Sequence, residues 1–171
     1  MTLLLGVPVY RKYGLLAMLI KSALAGTLVP ERIVVVDNGC AFDAQYRGPL
    51  ERVEVIRPAT NEGCAAGWNR ILRAASASGD EIILANDDIV LRPDGVEMMI
   101  RQLRADRGAS VVRGHGFSLF CLSQQTWRRV GSFDERFWPA YLEDKDYRYR
   151  LTLAGVPMPS KLVAAAAHVS S

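Results

Sequence analysis

Ile82-Ile83-Leu84-Ala85-Asn86-Asp87-Asp88-Ile89-Val90 is the stretch on which the fold turns. Four apolar residues run into an Asn and two adjacent Asp, and apolar residues resume at once. A short apolar run with polar flanks is the pattern of a fully buried strand. Adjacent carboxylates at its end repel each other and must be solvated, hydrogen-bonded or neutralised by a cation. In open α/β sheets the carboxyl ends of strands are where ligands bind. A hard divalent ion, held by one or two carboxylates together with phosphate oxygens, satisfies both conditions. A polar turn between two strands is the plainer alternative, because Asn and Asp are ordinary turn residues.

Upstream, Thr2 to Val7 predicts a first strand that Pro8 closes by removing a ladder donor. Gly14 to Leu24 has helical apolar spacing, Arg32 to Val36 reads as a second buried strand, and Val53 to Arg57 as a third. Asn61-Glu62-Gly63 leads into a helix to about Ser76, and Ser78-Gly79-Asp80 precedes the opening strand. Downstream, Pro93 and Asp94 start a helix to about Ala105. Ser110 to Arg113 and Phe117 to Leu122 suit two more strands, and Ser123 caps a short helix to Val130. An aromatic loop over 131–139 precedes a last helix, Leu142 to Leu153, and an irregular or extended tail from Met158 reaches His168. Strands alternating with helices in this way predict an α/β fold with a mostly parallel sheet covered by helices.

Half of the 171 residues are hydrophobic, which suits one globular domain with a real core. No apolar run approaches the ~18 residues that span a bilayer, and Met1 to Val9 lacks the charged start and cleavage site of a signal peptide. Cys40, Cys64 and Cys121 are odd in number and widely spaced, which argues against a disulfide framework or zinc site and fits a reducing cytoplasm. The formal charge of +3 is spread over scattered Arg residues rather than the clustered patch more usual in a nucleic-acid binder. It is compatible with an anionic small ligand or a nucleic-acid acceptor and decides neither. No Gly-x-Gly-x-x-Gly follows the first strand, which counts against a dinucleotide fingerprint.

Six stretches in order carry a resemblance: Val7-Pro8-Val9-Tyr10, Ile33 to Gly39, Asn61-Glu62-Gly63 with Asn69, Asn86-Asp87-Asp88, Gly131 to Glu135, and Glu143-Asp144-Lys145-Asp146 with Arg150. Together they resemble a family 2 glycosyltransferase of the GT-A fold, and the last two are similar to rhamnosyltransferase-like members. The resemblance implies one compact domain, with residues 1–90 as the nucleotide-binding half and 91–171 as the acceptor and catalytic half. It implies transfer from a nucleoside diphosphate sugar, with inversion, aided by Mn²⁺ or Mg²⁺. By that likeness Pro8 and Tyr10 line the base and ribose pocket, and Asp37 hydrogen-bonds the base. Asn61, Gly63 and Asn69 border the ribose and diphosphate. Asp88 binds the metal, Asp87 serves the ribose, Asp144 is the catalytic base and His168 a late metal ligand. Glu143 and Arg150 join the substrate-binding set through the same acidic motif.

Displacement at an anomeric carbon builds oxocarbenium-like charge and needs a carboxylate to activate the attacking oxygen, while a metal neutralises the leaving diphosphate. Asp144 stands in the first turn of its helix, where the macrodipole favours the ionised form. Residues 144 and 146 lie about 200° apart around a helix, so only one of them faces a cleft. Asp144 with Arg148 and Asp146 with Arg150 are also spaced as ordinary surface pairs. Trp138 and Tyr141, flanking Pro139, are the residues on which an acceptor would stack. Cys64 is expected to pack as a small hydrophobe, and His115 is either a loop residue or near the acceptor.

A sugar-phosphate nucleotidyltransferase, or a non-catalytic module that binds nucleotide or nucleic acid, are the rival readings. The first would want a basic, Gly-rich loop after the first strand, which Val7 to Tyr10 does not supply, although Arg11 and Lys12 are close by. The chain is short for a glycosyltransferase. An open acceptor side is therefore expected, admitting a glycan, a protein or a nucleic-acid base, with help from homo-oligomerisation.

Overall fold

The structure, a computed structural model, describes residues 2–78, 81–106, 110–158 and 163–169. Its strands alternate apolar residues to both faces, which is what a sheet covered on both sides requires. In β1 (Leu3–Val9) the odd positions Leu3, Leu5, Val7 and Val9 enter one core, and Leu4 enters the other. In β2 (Arg32–Asp37) Ile33 and Val35 join the first core, and Val34 and Val36 the second. The same division holds in β4 (Glu81–Ala85), where Ile83 and Ala85 face one side and Ile82 and Leu84 the other.

With β3 (Val53–Ile56), β6 (Val111–His115) and β7 (Leu119–Leu122), these strands form a six-stranded sheet in the order β3-β2-β1-β4-β7-β6. The pairs from β3 through β4 are parallel, and β7 runs antiparallel to both β4 and β6. The predicted mostly parallel sheet flanked by helices is therefore the fold. Helices α1 (Tyr13–Leu24) and α4 (Gly95–Ala105) supply Leu16, Ile20, Met99 and Ile100 to the first core. Helices α3 (Cys64–Ser78) and α6 (Glu143–Leu153) supply Trp68, Ile71, Tyr147 and Leu151 to the second. Helix α5 (Gln124–Val130) is capped as expected, Ser123 Oγ accepting from Thr126 N at 3.1 Å. Among the described residues no helix is long and apolar enough to cross a membrane.

Three expectations are corrected. Pro8 does not close β1, which continues to Val9 with Pro8 opposite Val36. The nitrogen of an even residue here faces β4, whose pairing has ended at Gly6 opposite Leu84, so the missing donor costs no ladder bond. The interval after β2 holds a short helix, α2 (Phe42–Gln45), that the turn-rich sequence concealed. The opening stretch is not one strand. It breaks at Asn86 to Asp88, and Ile89–Leu91 becomes β5, paired antiparallel with β8 (Ala166–His168) in a separate two-stranded sheet. The stretch thus forms a polar turn between two strands, the plainer of the two alternatives. Gly79 and Asp80, and the first part of the tail over 159–162, lie outside the described residues.

Candidate active site

A cavity of about 790 Å³ opens where β1 and β4 end. Pro8, Val9 and Tyr10 come from the end of β1, and Asn86 and Asp87 from the end of β4. Asn61, Gly63 and Cys64 come from the entry to α3, and Trp138 to Lys145 from the aromatic loop and the start of α6. Nine of the predicted site residues are therefore brought to one cavity: Pro8, Tyr10, Asn61, Gly63, Asp87, Trp138, Tyr141, Glu143 and Asp144. Asp146 instead pairs with Arg150 at 2.8 Å, as the helical offset between 144 and 146 requires.

The cavity wall is held by backbone contacts between distant segments. Trp138 Nε1 donates to Asn61 O at 3.2 Å, and Cys64 N donates to Pro139 O at 2.9 Å. Gly63 has φ +89°, and a Cβ there would stand 2.8 Å from Pro139 O and 2.9 Å from Trp138 Cδ1. Glycine is required on both counts, by conformation and by closeness of approach. The Trp138–Pro139 bond is cis. Tyr141 and Leu142 take positive φ of 77° and 73° and project outward, Tyr141 being 83% exposed.

Acidic groups in the cavity are strained electrostatically. Burial pushes the Asp87 carboxyl up to about 6, the charge of Asp88 adding to it, while Lys12 and the Tyr10 backbone N–H pull it back. Glu143 is 6% exposed and its Oε2 has no hydrogen-bond partner. Burial raises it above the usual carboxylate range, opposed by its own backbone N–H, with Asp144 raising it further and the Cys64 thiol opposing. Cys64, expected merely to pack, lines the cavity beside this carboxylate, and its thiol is pushed up by burial and by Glu143.

Asp88 lies beside the cavity rather than in its wall. Its Oδ2 is 3.4 Å from Lys12 Nζ, a cavity residue, and 3.2 Å from His168 Nε2. Its Oδ1 is buried with no partner. Antiparallel pairing of β5 with β8 makes this contact, setting Ile89 opposite His168. The His115 ring, at the end of β6, lies 5.8 Å from that of His168. Among the described residues no cluster of three or more His, Cys, Asp or Glu could hold a metal by itself.

Three predicted residues sit elsewhere. Asp37 is 2% exposed and both its oxygens are engaged, Oδ1 by Tyr13 Oη at 2.5 Å and Oδ2 by Phe42 N at 2.9 Å. It braces the end of β2. Its neighbour Asn38 is the residue that reaches the cavity, accepting from Glu62 N and donating to Gly63 O at 3.0 Å. Asn69, 1% exposed, clasps the aromatic loop: Nδ2 donates to Phe133 O at 2.9 Å, and Oδ1 accepts from Phe133 N at 2.8 Å. Arg150 donates to Asp146 and to Val130 O at 3.1 Å, away from the cavity. Lys12, Asn38 and Cys64 are among the cavity residues to which the sequence reading gave no role in the site. Only the position of Lys12 just after the first strand and of Cys64 just after Gly63 could have pointed to them.

The sequence profile described as "Glycosyl transferase family 2" matches residues 5–158. Among solved structures, the S. aureus protein TarS, residues 1–349, superposes with a TM-score of 0.71 at 12% identity, covering 99% of this chain and 60% of that one. The mannosyltransferase PcManGT from Pyrobaculum calidifontis, solved with GDP-Man and Mn²⁺, gives 0.73 at 15% identity, covering 96% and 56%. TarS 1–349 with UDP-GlcNAc gives 0.51 at 18% identity, covering 66% and 34%. The chain thus spans about 60% or less of the length of these neighbours. No curated protein matches the sequence.

Proposed function

The chain belongs to glycosyl transferase family 2, and from that premise we propose that it moves a sugar from a nucleoside diphosphate to an acceptor hydroxyl with inversion. The observation that carries the reading is one cavity lined by Pro8 and Tyr10, by Asp87 and by Asp144. Residues 1–90 form the nucleotide side, and residues from 91 onward bring the base and the acceptor platform.

Asp144 takes the proton of the acceptor hydroxyl as its oxygen bonds to the anomeric carbon. The bond from that carbon to the phosphate oxygen breaks, and the nucleoside diphosphate leaves with the electron pair. One displacement by one base inverts the centre. Trp138 and Tyr141, both exposed at the cavity rim, offer faces on which an acceptor stacks.

The residues around Asp88 fit a divalent ion. A carboxylate with a buried, unpartnered Oδ1 is a ligand that suits either Mn²⁺ or Mg²⁺. An imidazole nitrogen 3.2 Å from its Oδ2 suits the transition ion Mn²⁺ better than the hard, oxygen-seeking Mg²⁺. Diphosphate oxygens and water would complete such a set. When bound there, the ion supplies Lewis-acid neutralisation of the leaving diphosphate.

Thermal unfolding of the full chain with Mn²⁺ and a panel of uridine, guanosine and thymidine diphosphates tests the donor class. A matching nucleotide at about 100 times its Kd adds about 2.7 kcal/mol to native stability. Release of pyrophosphate instead of nucleoside diphosphate during turnover would replace this reading with the nucleotidyltransferase.

A further inference from the structure

Lys12 takes no part in the displacement itself, yet its ammonium lies beside Asp88. It precedes α1 and lines the cavity, with Nζ 3.4 Å from Asp88 Oδ2. No other Lys or Arg among the described residues is ion-paired with Asp87 or Asp88. The contact is longer than the ~2.7–2.9 Å of a tight charge-assisted hydrogen bond. The Lys12 side chain is 44% exposed, whereas that of Asp88 is 13% exposed. A flexible four-carbon stem half in solvent can re-aim its ammonium, whereas the less exposed, shorter carboxylate stays where the turn holds it.

We propose that Lys12 is the resident counter-cation of Asp88, displaced when a divalent ion binds and then turned onto the diphosphate of the donor. The inference rests on the assignment of the metal to Asp88. A divalent cation at that carboxylate and an ammonium at its present distance repel each other. The ammonium therefore leaves the carboxylate, and the cavity it already lines is where the negative diphosphate arrives. Lys12 so acts twice with opposite sign: it competes with the metal alone, and it helps the nucleotide once the metal is bound.

That sign reversal is the test, and neither arm requires turnover. Mn²⁺ alone is titrated into the full-length wild type, Lys12→Met, Lys12→Arg and Asp88→Asn, with free Mn²⁺ read by electron paramagnetic resonance. UDP and GDP are then titrated by calorimetry at saturating Mn²⁺. Lys12→Met is expected to bind Mn²⁺ alone about three-fold more tightly, the size of an exposed ion pair. It is expected to bind the preferred nucleoside diphosphate about ten-fold more weakly, having lost a charged hydrogen bond. Lys12→Arg keeps both wild-type affinities to within about two-fold. Unchanged or weaker Mn²⁺ binding by Lys12→Met, or unchanged nucleotide binding, overturns the proposal while leaving the metal site intact. Equal Mn²⁺ binding, or none, by wild type and Asp88→Asn removes the metal assignment itself, and the role of Lys12 falls with it.

Discussion

His168 Nε2 stands 3.2 Å from Asp88 Oδ2, joined across a two-stranded sheet whose register sets Ile89 opposite His168. The backbone reinforces the pair, with Val169 N donating to Asp88 O at 2.9 Å. If the two side chains share a divalent ion, His168→Ala lowers Mn²⁺ affinity by about ten-fold or more, and Asp88→Asn abolishes specific binding. Mn²⁺ titration separates this from a plain ion pair, in which His168→Ala would leave Mn²⁺ binding unchanged.

Asp144 is half-buried in the cavity wall at the start of α6. Asp144→Asn is nearly isosteric but cannot take a proton. The expected result is a fall in kcat of about 10²- to 10⁴-fold, with nucleoside diphosphate affinity and melting temperature near wild type. Sugar transfer at the wild-type rate by this variant would remove Asp144 as base.

Glu143 makes stability depend on pH in a definite direction. Its folded-state carboxyl is held above the ordinary range by burial, so between the ordinary carboxylate pKa and that raised value the folded chain binds more protons than the unfolded one. Stability therefore falls as pH rises through that window, and the penalty is complete above it. Glu143→Gln removes the charge. At pH 8 it is expected to gain about 1 kcal/mol, or about 2–4 °C in Tm, with little change at pH 4. Calorimetry at the two pH values checks this, and a lower Tm at pH 8 would contradict it.

Asn69 holds the loop that carries Trp138 and Pro139 through its two bonds to Phe133 and a third to Glu135 Oε1 at 2.8 Å. Phe133 is in turn stacked on Tyr147 with ring centroids 4.0 Å apart. Asn69→Ala strands the Phe133 amide and carbonyl in a buried site, at a cost of about 3 kcal/mol, which lowers Tm by roughly 6–12 °C. Denaturant unfolding monitored by tryptophan fluorescence measures it. A shift under about 1 °C would mean the clasp is not structural.

Part of this protein was legible in its sequence because the governing physics is local. Alternation of apolar residues in β1, β2 and β4 follows from the two-residue period of a strand. The helical offset between Asp144 and Asp146 put one in the cavity and the other on Arg150 without knowledge of the fold. The Asn86 to Asp88 turn announced itself by placing two carboxylates where an apolar strand ends.

What the tertiary structure decided are the pairings between distant segments. Asn69 and Asp37 bear side chains that could serve a nucleotide, but loop packing and helix α2 drew their hydrogen bonds inward. The partners of Asp88 were invisible in the opening stretch, because His168 arrives by the β5–β8 register and Lys12 from beyond the end of β1. Sequence period specifies which face a side chain takes. Which charges then meet depends on strand order and register, and these are set only when the whole sheet assembles.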